Sequence, residues 1–189
     1  MTPATGDIPA LQSVDNVTTM FHEFGHALHS FMRDVHYTTV GDVERDFVEL
    51  PSQINEHWAF EPEVLDIYAK HYKTGEPLPK ELLAKYNAAS KYGQGFATTE
   101  YLAASYVDMD LHVLTEVPEN FDVMQFEAQK LAERGIPRQI KPRYSVTNFS
   151  HTMEGGYTAG YYSYIWAEVL DADGFEAFKE TGDIFNPEV

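Results

Sequence analysis

A mainly α fold is predicted by three observations. Apolar residues recur at helical spacing along most of the 189 residues, Pro- and Gly-containing stretches separate those periodic runs, and the only β-prone run, Val35 to Val40, is short. After a Pro- and Gly-containing lead-in over residues 1–12, Ser13 or Asp15 is placed to cap a first helix reaching about Arg33. On that helix Met20, Phe21, Phe24, Ala27, Leu28 and Phe31 fall on one stripe, the expected core face, while His22, Glu23 and His26 occupy the opposite arc. A long helical segment from about Ser52 to Lys73 is expected to kink near Glu61-Pro62 and to end at Gly75-Glu76-Pro77-Leu78-Pro79. Further helices are expected over Lys80 to Lys91, Phe96 to Leu114 and Val123 to Arg134, divided by Gly93/Gly95, Pro118 and Gly135/Pro137. Beyond a loop through Lys141-Pro142-Arg143-Tyr144 and a polar segment to His151, Gly155-Gly156 opens a helix from about Tyr157 to Leu170. A short helix over Asp173 to Glu180 follows. No internal repeat or flexible linker interrupts the pattern, so residues 1–189 are expected to form a single partial catalytic domain.

Composition excludes several roles. A hydrophobic content of 43% with 14% aromatics suits a folded chain with a core. The net charge of −17 without a basic patch opposes nucleic acid and anionic lipid, and no run is long and apolar enough to span a membrane. Zero cysteines remove disulfides and thiolate metal sites, so a metal would rest on His and carboxylates. The first residues lack a charged region followed by an apolar one, and a cytoplasmic location is expected.

The chemistry is carried by His22-Glu23-Phe24-Gly25-His26. Residues i and i+4 stand one above the other on a helix, so His22 and His26 can hold one metal ion together, with Glu23 the candidate general base. Such a pentad also arises by chance, so its surroundings matter. Gly25 sits mid-helix at a cost of about 1 kcal/mol, which implies that another backbone approaches closely. Glu49, in Asp46-Phe47-Val48-Glu49-Leu50-Pro51-Ser52-Gln53, either completes a three-ligand site or complements the dipole of the helix it precedes. Gln53, Glu56 and Asp46 are each placed to hydrogen-bond a ligand imidazole. A di-iron carboxylate bundle would need a second Glu-x-x-His, and none occurs.

A second constellation spans His151 to Tyr164. Tyr157, Tyr161 and Tyr164 would share a helical face at i, i+4 and i+7, either as core aromatics or as donors to the oxyanion of a peptide-hydrolysis transition state. His29 lies beside the metal arc, whereas His36, His57, His71 and His112 have no ligand-like spacing to it, and all five read as structural or surface residues. Lys141 and Arg143 are solvated loop cations or would attract a peptide carboxylate.

With Phe21 to His29, Asp46 to Gln53 and His151 to Trp166 in this order, the chain resembles the thimet oligopeptidase family of zinc peptidases over Gly6 to about Phe185. Ser52 to Ala59 looks closest to its bacterial peptidyl-dipeptidase (Dcp) branch, with the oligopeptidase A branch near. The resemblance implies a multi-helix zincin-type catalytic lobe, part of a larger two-lobed channel peptidase, and one zinc ion held by His22, His26 and Glu49. It implies that Glu23 activates water, that Tyr157 and Tyr164 donate to the scissile carbonyl, and that His151 and Tyr161 lie on the substrate side. Short peptides would be the substrates, with release of C-terminal dipeptides favoured over internal cleavage. Family members are considerably longer, so the missing parts of the parent chain would be partners, and surfaces left uncovered would favour self-association. A metal-binding chain without catalysis of its own is the rival expectation.

Overall fold

The computed structural model describes residues 2–189. Helices dominate, and extended pairing among the described residues is confined to isolated bridges joining Thr5 with Ile8 and Lys70 with Pro77. The chain divides into two compact units, one holding the residues up to Lys85 together with Tyr164–Val189, the other Tyr86–Ser163.

In the first unit, α1 (Val14–Phe31) begins where the Ser13 hydroxyl accepts a hydrogen bond from the Asn16 N–H. Helix α2 (Leu50–Trp58) carries Pro51 in its first turn, where no intrahelical donor is lost. Gly25 explains how the two helices meet. A Cβ there would lie 2.4 Å from the Pro51 carbonyl oxygen and 2.6 Å from the Ser52 Cα, so the first turn of α2 rests directly on the α1 backbone. The long helix expected from Ser52 breaks at Glu61, and Pro62 opens α3 (Pro62–Tyr68). That helix stops at Tyr68, five residues short of the expected end, because Leu78 N–H bonds back to Ala69 O and turns the chain.

Helix α8 (Ser163–Glu180) corrects two expectations. It starts at Ser163, so Tyr157 and Tyr161 precede it in turns, only Tyr164 lies on it, and the three-tyrosine helical face does not form. The backbone reason is local: Gly156 (φ 79°) and Ala159 (φ 53°) are left-handed and cannot continue a right-handed helix. The expected break after Leu170 is also absent. Asp171 accepts a hydrogen bond from His57 at 2.9 Å, and Gly174 is the position where Ile54 Cδ1 would approach a Cβ to 3.1 Å. Asp171 and Gly174, at the place of the expected break, are thus contacts between α8 and α2. Phe175 completes that contact, stacked on His57 and edge-on to Trp58, whose indole N–H donates to Ile184 O.

Two further expectations are corrected in this unit. Val35 to Val40 forms no strand but ends in a one-turn 3-10 helix over Thr38–Val40. The apolar stripe of α1 is not a core face: Met20 and Phe24 are about half exposed and Phe31 is 78% exposed, whereas the buried residue of the helix is Gly25. This stripe instead borders an open cavity of about 740 Å³, lined by Met20, Glu23, Phe24, Leu28 and Asn55 among others.

Helix α4 (Lys80–Ala89) leads into the second unit, whose centre is α5 (Gln94–His112), with Ala103, Ala104 and Val107 fully buried. Helix α6 (Val123–Glu133) is capped by Asp122, which accepts from the N–H groups of Met124 and Gln125. Arg134 at its end grips Asp110 of α5 at 2.6 Å. From α6 the buried Glu127 carboxylate accepts from the Ser145 hydroxyl and the Val146 N–H, fixing the approach to the one-turn helix α7 (Ser150–Met153). No helix among the described residues is long and apolar enough to cross a membrane.

Candidate metal centre

His22 and His26 point from adjacent turns of α1, their rings edge to face with centroids 5.0 Å apart. Glu49, at the N-cap position of α2, is 1% exposed and faces both. Its Oε2 lies 3.1 Å from His22 Nε2 and 3.3 Å from His26 Nε2. Three potential ligand atoms therefore lie within 4.8 Å of one another. The Ser52 hydroxyl holds the carboxylate from behind, donating at 2.9 Å to Oε2 with Glu49 O also in reach.

The other nitrogen of His22 is fixed as well. Nδ1 lies 2.6 Å from Oε1 of Glu56, farther along α2 than Glu49. Glu56, one of the residues expected to orient a ligand imidazole, thus contacts the ring of His22. Gln53 instead donates to Tyr164 O at 3.1 Å. Burial tends to lower the pKa of His22, but hydrogen bonds and charge from Glu49 and Glu56 outweigh it and raise the value to about 9. Two carboxylates converging on one imidazole create a local demand for positive charge. A divalent cation between His22, His26 and Glu49 meets that demand, and the N, N, O donor set suits zinc with a coordination position left open. Asn55, on α2, donates to Phe21 O at 2.7 Å and further ties the two helices.

Glu23 is exposed and lines the cavity bordered by the apolar stripe of α1. It belongs with His22, His26, Glu49 and Tyr164 to the first unit, whereas His151, Tyr157 and Tyr161 belong to the second. Within that second unit the aromatic residues cluster. The His151 ring lies 5.5 Å from Tyr161 and 6.1 Å from Tyr157, and Tyr144 stacks on His151 at 5.4 Å. Tyr161 is buried and stacked on Tyr101, whose hydroxyl donates to Tyr161 O; burial pushes its phenol well above the usual range. One organising residue escaped the sequence reading, the buried Asp108 of α5, which holds the segment between His151 and Tyr161. Its only signal was an acid on the Ala103, Ala104 and Val107 face with His112 four residues on.

A helical fold in which two histidines of an H-E-x-x-H turn meet a buried glutamate from the next helix defines the architecture of a helical metallopeptidase core. The sequence comparisons make this specific: the chain matches peptidase family M3 over residues 1–189 and belongs to that family. It is 45% identical over 185 residues to a dipeptidyl carboxypeptidase of Escherichia coli (strain K12), covering 96% of this chain and 27% of that protein. It is 42% identical over 184 residues to oligopeptidase A of the same organism, covering 95% of this chain and 27% of that protein. An organellar oligopeptidase A of Arabidopsis thaliana is 43% identical over 187 residues, 96% of this chain and 23% of that protein. The chain thus spans 23 to 27% of the length of these relatives.

Proposed function

We propose that this chain is the metal-bearing part, a single partial catalytic domain over residues 1–189, of a longer zinc-dependent peptidase that hydrolyses short peptides. The observation that carries the reading is the convergence of His22, His26 and buried Glu49, with Glu56 behind His22, in a chain of the M3 family. One zinc ion per chain would be held by those three side chains, supplying Lewis acidity and acidifying water when bound. Glu23, next in sequence to His22, accepts the proton of the attacking water and passes it to the leaving amine. Tyr157 and Tyr164 donate hydrogen bonds to the carbonyl oxygen as it gains charge, and His151 and Tyr161 contact the substrate backbone. A cysteine-free chain suits a reducing compartment such as the cytoplasm.

Removal of C-terminal dipeptides is the favoured specificity, on the similarity to a dipeptidyl carboxypeptidase. Internal cleavage is the second reading, supported by the comparable similarity to oligopeptidase A. Cleavage of a free peptide but not of its C-terminal amide would favour the first, and equal cleavage of both the second. Glu23→Gln tests the chemistry: zinc retained with hydrolysis lowered by about 10² to 10⁴-fold supports the peptidase. Zinc bound without any hydrolysis by the unmodified chain would make it a metal-binding part that needs the remainder of the parent for catalysis.

A further inference from the structure

Asp108 is 1% exposed at the centre of the second unit, on a face of α5 otherwise built of Ala103, Ala104 and Val107. Apart from a neighbour on its own helix, its hydrogen-bond donors come from one stretch of chain. The Thr152 hydroxyl and the Ala159 N–H, at 3.0 Å, reach Oδ1, and the Tyr161 N–H reaches Oδ2 at 3.0 Å. His112 Nδ1, one turn along α5, closes the set at 2.9 Å from Oδ1. Between Thr152 and Tyr161 the chain runs mostly in turns, with left-handed backbone at Gly156 and, unusually for a residue with a side chain, at Ala159. Such a path is held only if its neighbours determine it. A buried carboxylate strongly resists losing its donors, so satisfying Asp108 and fixing residues 152–161 are one event.

We propose that Asp108 is a positioning residue for the peptidase site: through the Thr152 hydroxyl and the Ala159 and Tyr161 amides, it sets the conformation of the segment that presents His151 and Tyr157 to substrate. This rests on the reading of that segment as the substrate-contacting one. Thr152 links the anchor to Tyr157 directly, since its hydroxyl lies 3.2 Å from Tyr157 O, and Tyr157 N–H bonds His151 O at 3.0 Å. Losing the anchor would displace both side chains without removing either, and displacement of about 1 Å is enough to cost on the order of 100-fold in rate.

The test is Asp108→Asn in the zinc-loaded chain, read by amide hydrogen exchange and by steady-state kinetics on a short peptide. The amide side chain offers one acceptor oxygen where the carboxylate offered two, so the Ala159 and Tyr161 amides should exchange at least about tenfold faster while α6 stays protected. In the same variant kcat should fall by about 10- to 100-fold with zinc content unchanged. Thr152→Val, which leaves Asp108 its other donors, should shift both readouts in the same direction by less and serves if Asp108→Asn does not fold. Unchanged exchange at the two amides would overturn the proposal, and so would faster exchange with kcat and KM both unaltered. An unmodified chain that cleaves no peptide would count against catalysis by this part on its own, and the exchange of the two amides would still decide the anchor.

Discussion

His22 is held from both sides of its ring, with Nδ1 2.6 Å from Glu56 and Nε2 3.1 Å from Glu49. The contact to Glu56 fixes the ring orientation and leaves Nε2 as the atom presented toward Glu49 and His26, because the nitrogen that donates to a carboxylate is not the one available to a metal. Glu56→Ala should therefore lower zinc affinity by about 10- to 100-fold, while Glu56→Gln, whose amide oxygen still accepts from Nδ1–H, should lose much less. Competition against a chromophoric chelator measures both, and equal affinity in Glu56→Ala and the unmodified chain would remove Glu56 from the site.

Gly25→Ala should destabilise the protein even though alanine is the better helix former. The added methyl would sit 2.4 Å from Pro51 O and 2.6 Å from Ser52 Cα. Both are backbone atoms that cannot rotate away, so α2 must shift. Overpacking typically costs about 1–3 kcal/mol, against about 1 kcal/mol gained in helix propensity. Gly95→Ala provides the contrast, since a Cβ there meets nothing within 4 Å and should raise stability by up to about 1 kcal/mol. Urea unfolding of the two variants should give opposite signs. Because Glu49 precedes α2, zinc affinity should also fall in Gly25→Ala and not in Gly95→Ala.

The pairing of His22 with His26 was legible in the sequence because i, i+4 spacing on a strongly periodic helix is a local property, and Gly25 announced the close approach that the Pro51 contact makes explicit. The path from Tyr157 to Tyr161 was not, because it depends on Asp108, about fifty residues away in the sequence, and no local pattern encodes a buried carboxylate that collects distant amides. The continuity of α8 past Leu170 was not legible for a related reason, since Asp171 and Gly174 owe their places in it to contacts with α2. The apolar stripe of α1 had the right period and the wrong environment: periodicity identifies an apolar face without saying what covers it.

Zinc should stabilise the folded chain through the three side chains that converge in it. At a free zinc concentration about 100 times Kd, a ligand binding only the folded state adds about 2.7 kcal/mol. Thermal melts with zinc and with excess chelator should therefore differ in the unmodified chain. In Glu49→Ala, which removes the 1% exposed carboxylate between the imidazoles, the difference should largely vanish. An equal zinc-dependent shift in Glu49→Ala would place the binding elsewhere.

Glu168 gives a pH dependence of definite sign. Burial raises its pKa, and the neighbouring charges of Asp171 and Glu56 raise it further, with His57 acting the other way. A carboxyl that holds its proton more tightly when folded makes the folded state bind more protons than the unfolded one, so stability falls as pH rises through that window. Its favourable contribution is present below the ordinary carboxylate range and is lost once the folded group ionises. Glu168→Gln, which stays neutral, should therefore melt at a higher temperature than the unmodified chain at about pH 7. The gap should close at about pH 4, where both side chains are uncharged. The residue is substantially exposed, so solvent screens the charges and the shift should be small. A Glu168→Gln advantage that is the same at both pH values would trace it to packing rather than to the carboxylate's charge.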